Sequence, residues 1–537
     1  MGVSTSSVDP AREPPDATLD HAPSKRRYQI ARKDGELWHR ELLIHGGAED
    51  IVLAEFPLKL GIGSGRHGRS YVAEVDGFLV QSPVTWYPAR KQWGMSPGYD
   101  RPDQMGFERA IDESCLICHA GHADVVGKTQ QRIHIREAAI SCERCHGPGS
   151  LHVGHHRDRK QHGLPSEGGV DYTIVNPRHL ERDLAEAVCQ QCHLQSAAIV
   201  LGRGRKIADF RPGLPLQDFR QDYRLEVADA PMRVVGHVEQ MHQSRCYKKS
   251  PTFSCATCHN PHAFPDPDKR DEFYQKKCLQ CHQVESCTVD RAEKMRENPS
   301  NVCVRCHMPS AATDVPHVTF THHRVGIHKR DQAGKPPVLA QPTGPGTLQP
   351  VLSLERLGAM DRKRSLGIAY DAIAQSESNP TLAAHYRAEA LRLLSASYAA
   401  GMRDPALEVG LARLNFDRAG AESLAFAENA LKHENIAGPD RCAALYYAAS
   451  GHLKRNDFQA ARKGYLELTT LRRLSDDYVF LAKCEKALGN QAGLIDALRS
   501  AVRIEPRIWP IHGQLSEHFR RLGDVDLATF HQKRAVR

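Results

Sequence analysis

No stretch of this chain approaches the roughly 20 consecutive apolar residues that a membrane-spanning helix needs, so no membrane span is expected. No basic run interleaved with aromatics appears, nor any recognisable nucleic-acid module, and nucleic acid is not expected as a partner. The first twenty residues, MGVSTSSVDPAREPPDATLD, lack the basic start and apolar stretch of an export leader. No Cys-x-x-Cys-Lys occurs either. The length of 537 residues allows about three or four domains.

What is present is a sixfold repeat of Cys-x-x-Cys-His. It runs through Cys115, Cys118 and His119; Cys142, Cys145 and His146; Cys189, Cys192 and His193; Cys255, Cys258 and His259; Cys278, Cys281 and His282; and Cys303, Cys306 and His307. This is the attachment signature of c-type haem. Two thiols add across the vinyl groups of one porphyrin, and the adjacent histidine ligates the iron. Paired cysteines also bind zinc, but zinc does not require a histidine directly after the second thiol. Histidine is 30 of 537 residues, so six trailing histidines by chance have odds on the order of 1 in 10⁷ to 10⁸. Iron-sulfur ligation uses denser cysteine runs with no trailing histidine.

Residues 115 to 330 supply only about 36 residues for each motif, too few for a conventional core around every haem. The porphyrins are therefore expected to be the core, with folding coupled to their attachment. The formal charge of +8 suggests a basic surface, which two propionates per haem would offset. Haem is joined to this motif outside the cytoplasm in bacteria. A periplasmic or extracytoplasmic location is thus expected despite the missing leader, and the natural chain is predicted to begin upstream, with a signal peptide and a further motif. Of the 16 cysteines, Cys246, Cys287, Cys442 and Cys484 lie outside the motifs. Cys246 and Cys287 flank two motifs and are candidates for a disulfide in an oxidising compartment. Cys442 and Cys484 lie in helical sequence and read as buried thiols.

Along the chain, residues 1–27 are rich in Pro, Ser and Asp and read as irregular. Strands are predicted at Leu37 to Ile44, Ile51 to Phe56, Tyr71 to Val75 and Phe78 to Val80, with hairpin turns at Asp34-Gly35 and Asp76-Gly77. Trp86, Tyr87 and Trp93 follow in what reads as an irregular stretch packed on the first haem. Gly63 to Gly68 spells GxGxxG, but a dinucleotide site needs a helix next, and Arg69 to Val75 reads as strand. The glycines are taken as a tight turn. KRDQAGKPPVLAQPTGPGTLQP then forms a linker. Beyond it lies Ala- and Leu-rich helical sequence with a period near 34 residues, in which Asn456, Gly489 and Gly523 hold equivalent turn positions. About four tetratricopeptide-like units fit, and such arrays usually present a groove to a protein partner, the alternative being a structural cap on the haem domain.

The histidine opposite each iron separates electron transfer from catalysis. Candidates beside the motifs are His152 in CHGPGSLH, His262 in CHNPH, and His317 and His323 in HVTFTHHRVGIH, which also holds His322 and His328. His67 is a further candidate, and His237 and His242 lie in GHVEQMHQSRCY. Met308 is expected to pack rather than ligate.

CLICHAGH, SCERCHGPGSLH, CQQCHLQ, SRCY with SCATCHNPH, and CVRCHMP with PHVTFTHHRVGIH carry a resemblance. Residues 28–330 resemble the multihaem cytochromes of the doubled-CxxCH and cytochrome c-554-like group, particularly those with a tetratricopeptide tail. The resemblance implies closely stacked haems, a periplasmic or cell-surface location, and distal roles for His152, His262, His317 and His323. The expected fold is mostly α with irregular haem-wrapping segments. It comprises an irregular segment over 1–27, a small antiparallel β unit over 28–100, a multihaem cytochrome c domain over 101–330, a linker over 331–352, and an α-solenoid of tetratricopeptide repeats over 353–537.

The expected function is electron transfer along mostly bis-His haems, six in this chain, with the helical repeats docking a redox partner protein. The alternative is a multihaem oxidoreductase acting on a small nitrogen or sulfur compound at one open iron. A third reading is an interaction scaffold built around the tail.

Overall fold

The computed structural model describes residues 4–45, 49–63, 65–163, 169–226, 235–290, 292–294, 302–313, 315, 318–328 and 344–535. They divide into two compact units, one of residues 4–139 with 358–537 and the other of residues 140–357.

In the first unit, strands β1 (Thr5–Ser7), β2 (Ala17–His21), β3 (Arg26–Lys33), β4 (Glu36–Leu43), β5 (Ile51–Ile62), β6 (Arg69–Val75), β7 (Phe78–Tyr87) and β8 (Gln92–Met95) build an antiparallel sheet. The order β2-β3-β4-β5-β6-β7-β8 follows the chain, and β1 pairs with the end of β5. The two predicted hairpin turns form at Asp34-Gly35 (φ +53° and +76°) and Asp76-Gly77 (φ +55° and +79°). Two consecutive left-handed residues match the twist of the flanking strands, and Asp-Gly tolerates them. The GxGxxG segment joins β5 to β6, with strand and not helix after it.

Two expectations are corrected here. Residues 4–27 are not irregular, because β1 and β2 join the sheet and the buried Glu13 accepts from Arg69 Nε at 2.9 Å and Tyr71 Oη at 2.7 Å. The prolines obscured a short alternating strand. Trp86 and Tyr87 end β7 and Trp93 sits in β8. Trp93 packs edge-on to His39 and Trp86, in the cluster of Tyr28, Leu37, Tyr71 and Val84 and apart from the first motif. A short hairpin of β9 (His122–Val125) and β10 (Ile133–Glu137) follows that motif.

The helical part of the same unit contains ten described helices in five antiparallel pairs. They are Ala359–Ser376 with Pro380–Ala399, Pro405–Asn415 with Gly420–Leu431, Gly438–Lys454 with Phe458–Leu471, Ser475–Ala487 with Gln491–Ile504, and Trp509–Arg521 with Val525–Ala535. This is one pair more than the period suggests. Asn456, Gly489 and Gly523 all have positive φ, +60°, +72° and +77°, and reverse the chain within the last three pairs. Gly464 shows why small residues recur: a Cβ there would lie 2.8 Å from Ala449 Cβ. Cys442 and Cys484 are buried in this array.

The repeats pack on the sheet. Arg473 donates to Phe107 O (3.3 Å), Arg507 Nη1 to Gln104 O (2.9 Å), and Gln130 N to Leu471 O (3.0 Å). Buried charges gather along this seam. Arg26 is paired with Glu41, which also accepts from Tyr28 Oη at 3.2 Å. Burial and the facing Glu505 carboxyl push Glu108 well above the ordinary carboxyl value of 4.5, while Arg507 keeps Glu505 low.

The second unit has little sheet. β11 (Ala198–Leu201), β12 (Arg220–Leu225) and β15 (Leu348–Pro350) form one small sheet, and β13 (Ser310–Ala312) pairs with β14 (Thr319–Thr321). The predicted linker therefore ends in a strand at 348–350, whereas 329–343 lie outside the described residues. A modest core of Ala187, Leu194, Phe210, Leu216, Phe219 and Val238 serves the sheet end. Over residues 245–290 not one side chain is buried, although three helices form there.

Two outcomes test this packing. Replacing Glu41 by Leu strands the buried Arg26 guanidinium and should cost about 3–5 kcal/mol in denaturant unfolding, whereas Glu41→Leu with Arg26→Met should cost distinctly less. The folded chain binds the Glu108 proton more tightly than the unfolded chain. That stabilisation is complete below about pH 4.5 and declines as pH rises toward the folded value. Glu108→Gln should therefore gain on the natural protein between about pH 5 and about pH 8, and a pH-independent difference would refute the shift.

Candidate functional site

All six Cys-x-x-Cys-His motifs lie on helical turns. The helices are Glu113–His119, Cys142–His146, Arg182–His193, Cys255–Cys258, Arg270–Cys278 and Cys303–His307. The fourth and fifth turns carry on to the histidine, as His259 N donates to Cys255 O (2.9 Å) and His282 N to Cys278 O (3.0 Å). Helical spacing brings positions i, i+3 and i+4 to one side, so two thiols and an imidazole emerge together six times over.

The first motif belongs to the unit with the sheet. Cys115 packs with Val72, Leu79, Ile111 and Leu116, and His119 Nδ1 stands 3.1 Å from Ser4 Oγ. Burial lowers the His119 pKa, which favours the neutral imidazole a metal requires.

The other five motifs touch one another in chain order. The Cys142–His146 helix packs on Arg182–His193. From there the Cys189 thiol hydrogen-bonds with that of Cys255, lowering the Cys189 pKa and raising that of Cys255. The helix Cys255–Cys258 packs on Arg270–Cys278, which packs on Cys303–His307, and burial together with Cys303 pushes the Cys278 thiol up to about 11.

The histidines of this unit show how they are oriented. His146 Nδ1 lies 2.7 Å from Val175 O, His307 Nδ1 3.1 Å from Gly326 O, and His323 Nδ1 2.9 Å from Thr321 O. A ring that donates Nδ1–H to a carbonyl presents Nε2 as a lone pair, the usual support of a metal-ligating histidine. Two imidazoles on opposite sides of one metal, with bonds of about 2.0–2.1 Å, place their centroids about 6.3 Å apart. His146 and His262 stand 5.9 Å apart at 12° between planes, and His259 and His323 stand 6.1 Å apart at 28°. Burial depresses His259, and His323 falls to about 4. The donor set therefore fits six-coordinate iron at these two pairs.

Of the distal candidates, His262 and His323 each face a motif histidine. His262 faces His146 of the second motif and not His259 of its own. His152 is turned to Asp171 and His156, with Nδ1 2.8 Å from Asp171 Oδ2. His67 is exposed in the turn between β5 and β6, and His317 lies outside the described residues. His237 is named in the sequence reading without a ligand role, and the structure brings it among the motif histidines. Its ring is 5.1 Å from His193 and 4.4 Å from His323, and burial takes it to about 3. Its signal was its place in GHVEQMHQSRCY, ahead of the fourth motif. Cys246 and Cys287 both carry free thiols, contrary to the candidate disulfide, and Cys246 lies near Cys258 and Cys278.

No family model matches the chain. Among curated proteins, type III pantothenate kinase from Azoarcus sp. (strain BH72) is 34% identical over 109 residues, 18% of this chain. The chain spans 40% of the length of that relative. Among solved structures, MamA from AMB-1 covers 33% of this chain and 89% of its own, at 17% identity and a TM-score of 0.27. MamA from Desulfovibrio magneticus RS-1 covers 33% and 95%, at 20% identity and a TM-score of 0.27. The repeat architecture is read from the five helix pairs themselves. No described helix is long and apolar enough to cross a membrane.

Proposed function

We propose that this chain is a multihaem c-type cytochrome that passes electrons along closely spaced haems, and that it works outside the cytoplasm, where such haems are attached. The observation that carries the reading is the sixfold Cys-x-x-Cys-His, each copy on a helical turn that brings both thiols and the imidazole to one side. Once bound, each haem supplies an iron that takes up and gives back one electron.

The chain's own residues then have distinct tasks. The cysteine pairs hold the macrocycles covalently, and His119, His146, His193, His259, His282 and His307 bind the irons. His262 serves opposite His146, His323 opposite His259, and His237 is assigned to His193. The carbonyls of Val175, Gly326 and Thr321 fix three of the ring orientations. Chain-order contact of five motifs favours a wire, because short gaps between neighbours are what electron transfer needs. The bare surface of residues 245–290 supports the same reading, since side chains alone build no core there. For partner docking we assign the helical repeats, because paired antiparallel helices of this kind usually present a groove to a protein.

Intact mass of the protein purified from a host competent for haem attachment should exceed the polypeptide mass by six haems, and an unmodified chain would sink the proposal. Ferric EPR should show low-spin signals in the natural protein. His262→Ala and His323→Ala should each turn about one haem high-spin while leaving the covalent mass unchanged. A high-spin fraction already present in the natural protein would favour the oxidoreductase with one open iron.

A further inference from the structure

The helix Glu113–His119 ends on the first motif, and the carbonyls of its final residues have no partner within the helix. Two hydroxyls at the start of β1 supply one. Thr5 Oγ1 donates to His119 O, and Ser4 Oγ donates to Cys118 O at 3.4 Å. The same Ser4 oxygen lies 3.1 Å from His119 Nδ1. A hydroxyl that gives its proton to a carbonyl keeps its lone pairs for a donor, so Ser4 accepts Nδ1–H from His119. That bond fixes the ring and leaves Nε2 with the lone pair.

The sheet holds this hydroxyl in place. Gly63 N donates to Ser4 O at 2.7 Å, Thr5 and Ser6 pair with Ile62 and Gly61 of β5, and Val8 N donates to Lys59 O at 3.0 Å. Arg69 of β6 fastens the same segment. Its Nη2 lies 3.1 Å from Ser6 Oγ, and its Nε and Nη2 donate to the buried Glu13 at 2.9 and 2.6 Å. Gly61 makes room for the guanidinium, because a Cβ there would overlap it. Thr5 is buried, so water does not compete for its bond to His119.

We propose that Ser4 is a positioning residue for the first haem: its hydroxyl takes the Nδ1 proton of His119 and thereby sets how strongly this ligand donates to iron. The role rests on the cytochrome reading above. An Nδ1–H bonded to oxygen makes the imidazole more basic at Nε2, which favours ferric over ferrous iron. At His146 and His307 main-chain carbonyls give the same support, which no substitution removes. At His119 the acceptor is a side chain, and a single mutation takes it away.

The test compares the full haem-loaded protein with Ser4→Ala, Ser4→Thr and Thr5→Ala by spectropotentiometric titration and intact mass. Ser4→Ala should shift one of the six haem components toward the ferrous state by about three- to tenfold, the larger figure being about 59 mV for one electron. The other five components, the six-haem mass and the far-UV circular dichroism should not change. Ser4→Thr keeps the hydroxyl and should titrate like the natural protein. Thr5→Ala loses the bond to His119 O but keeps the Nδ1 acceptor, so it should lower thermal stability and leave all six potentials in place. Unchanged potentials in a six-haem Ser4→Ala protein would overturn the role of Ser4 and leave the cytochrome standing. So would a Ser4→Thr protein shifted as far as Ser4→Ala. A chain without covalent haem would instead defeat the cytochrome reading, and the role of Ser4 with it.

Discussion

The contact between one Cys-x-x-Cys-His turn and the next is what the middle of this protein depends on. Five such turns meet in chain order, through helix packing and through thiol pairs such as Cys189 with Cys255. Hydrogen bonds such as Gln191 Nε2 to Arg144 O at 3.0 Å and the ion pair of Arg305 with Asp271 at 3.1 Å join them as well. Between residues 245 and 290 the polypeptide buries no side chain of its own, so ordinary hydrophobic packing does not account for the order of that stretch. A cofactor that brings a large apolar surface and six-coordinate iron would account for it, and the histidine pairs stand at the separation such an iron imposes.

The sheet and the helical repeats follow the opposite regime. There tyrosines, leucines and small residues pack densely, and the polar groups that enter the interior come with partners, as Glu13 does with Arg69 and Tyr71. The seam between the sheet and the repeats is a line of charge, with Arg26, Glu41 and Arg473 buried and Glu108, Glu505 and Arg507 half-buried. Such groups contribute little net stability but penalise misalignment heavily. The array thus has a partner within its own chain, which alters how a tetratricopeptide-like tail is read. Its later helices hold the sheet that carries the first motif.

Much of the fold was legible because its signals are local. Asp-Gly turns, alternating apolar strands and a 34-residue period depend only on neighbours in sequence, and they appear where the sequence puts them. The strands at residues 5–7 and 17–21 were not legible, because their pairing with β5 and β3 is long-range and prolines mask the alternation. The aromatic residues Trp86 and Trp93 were assigned to the wrong surface for the same reason: burial is visible in sequence, but not what covers it.

By itself the sequence determined the motif, since two thiols and an imidazole at that spacing are a matter of neighbours in the chain that no folding context alters. It also determined that histidines would be plentiful beside the motifs. Which of them stands opposite which was a matter for tertiary structure alone. His262 faces His146 across more than a hundred residues, His237 lies against His193, and His152 sets its Nδ1 against Asp171, which leaves its Nε2 free. The physical reason is that the motif histidine is set by its spacing from two cysteines within one helical turn, whereas the histidine that faces it arrives from another segment and is chosen by how the chain packs.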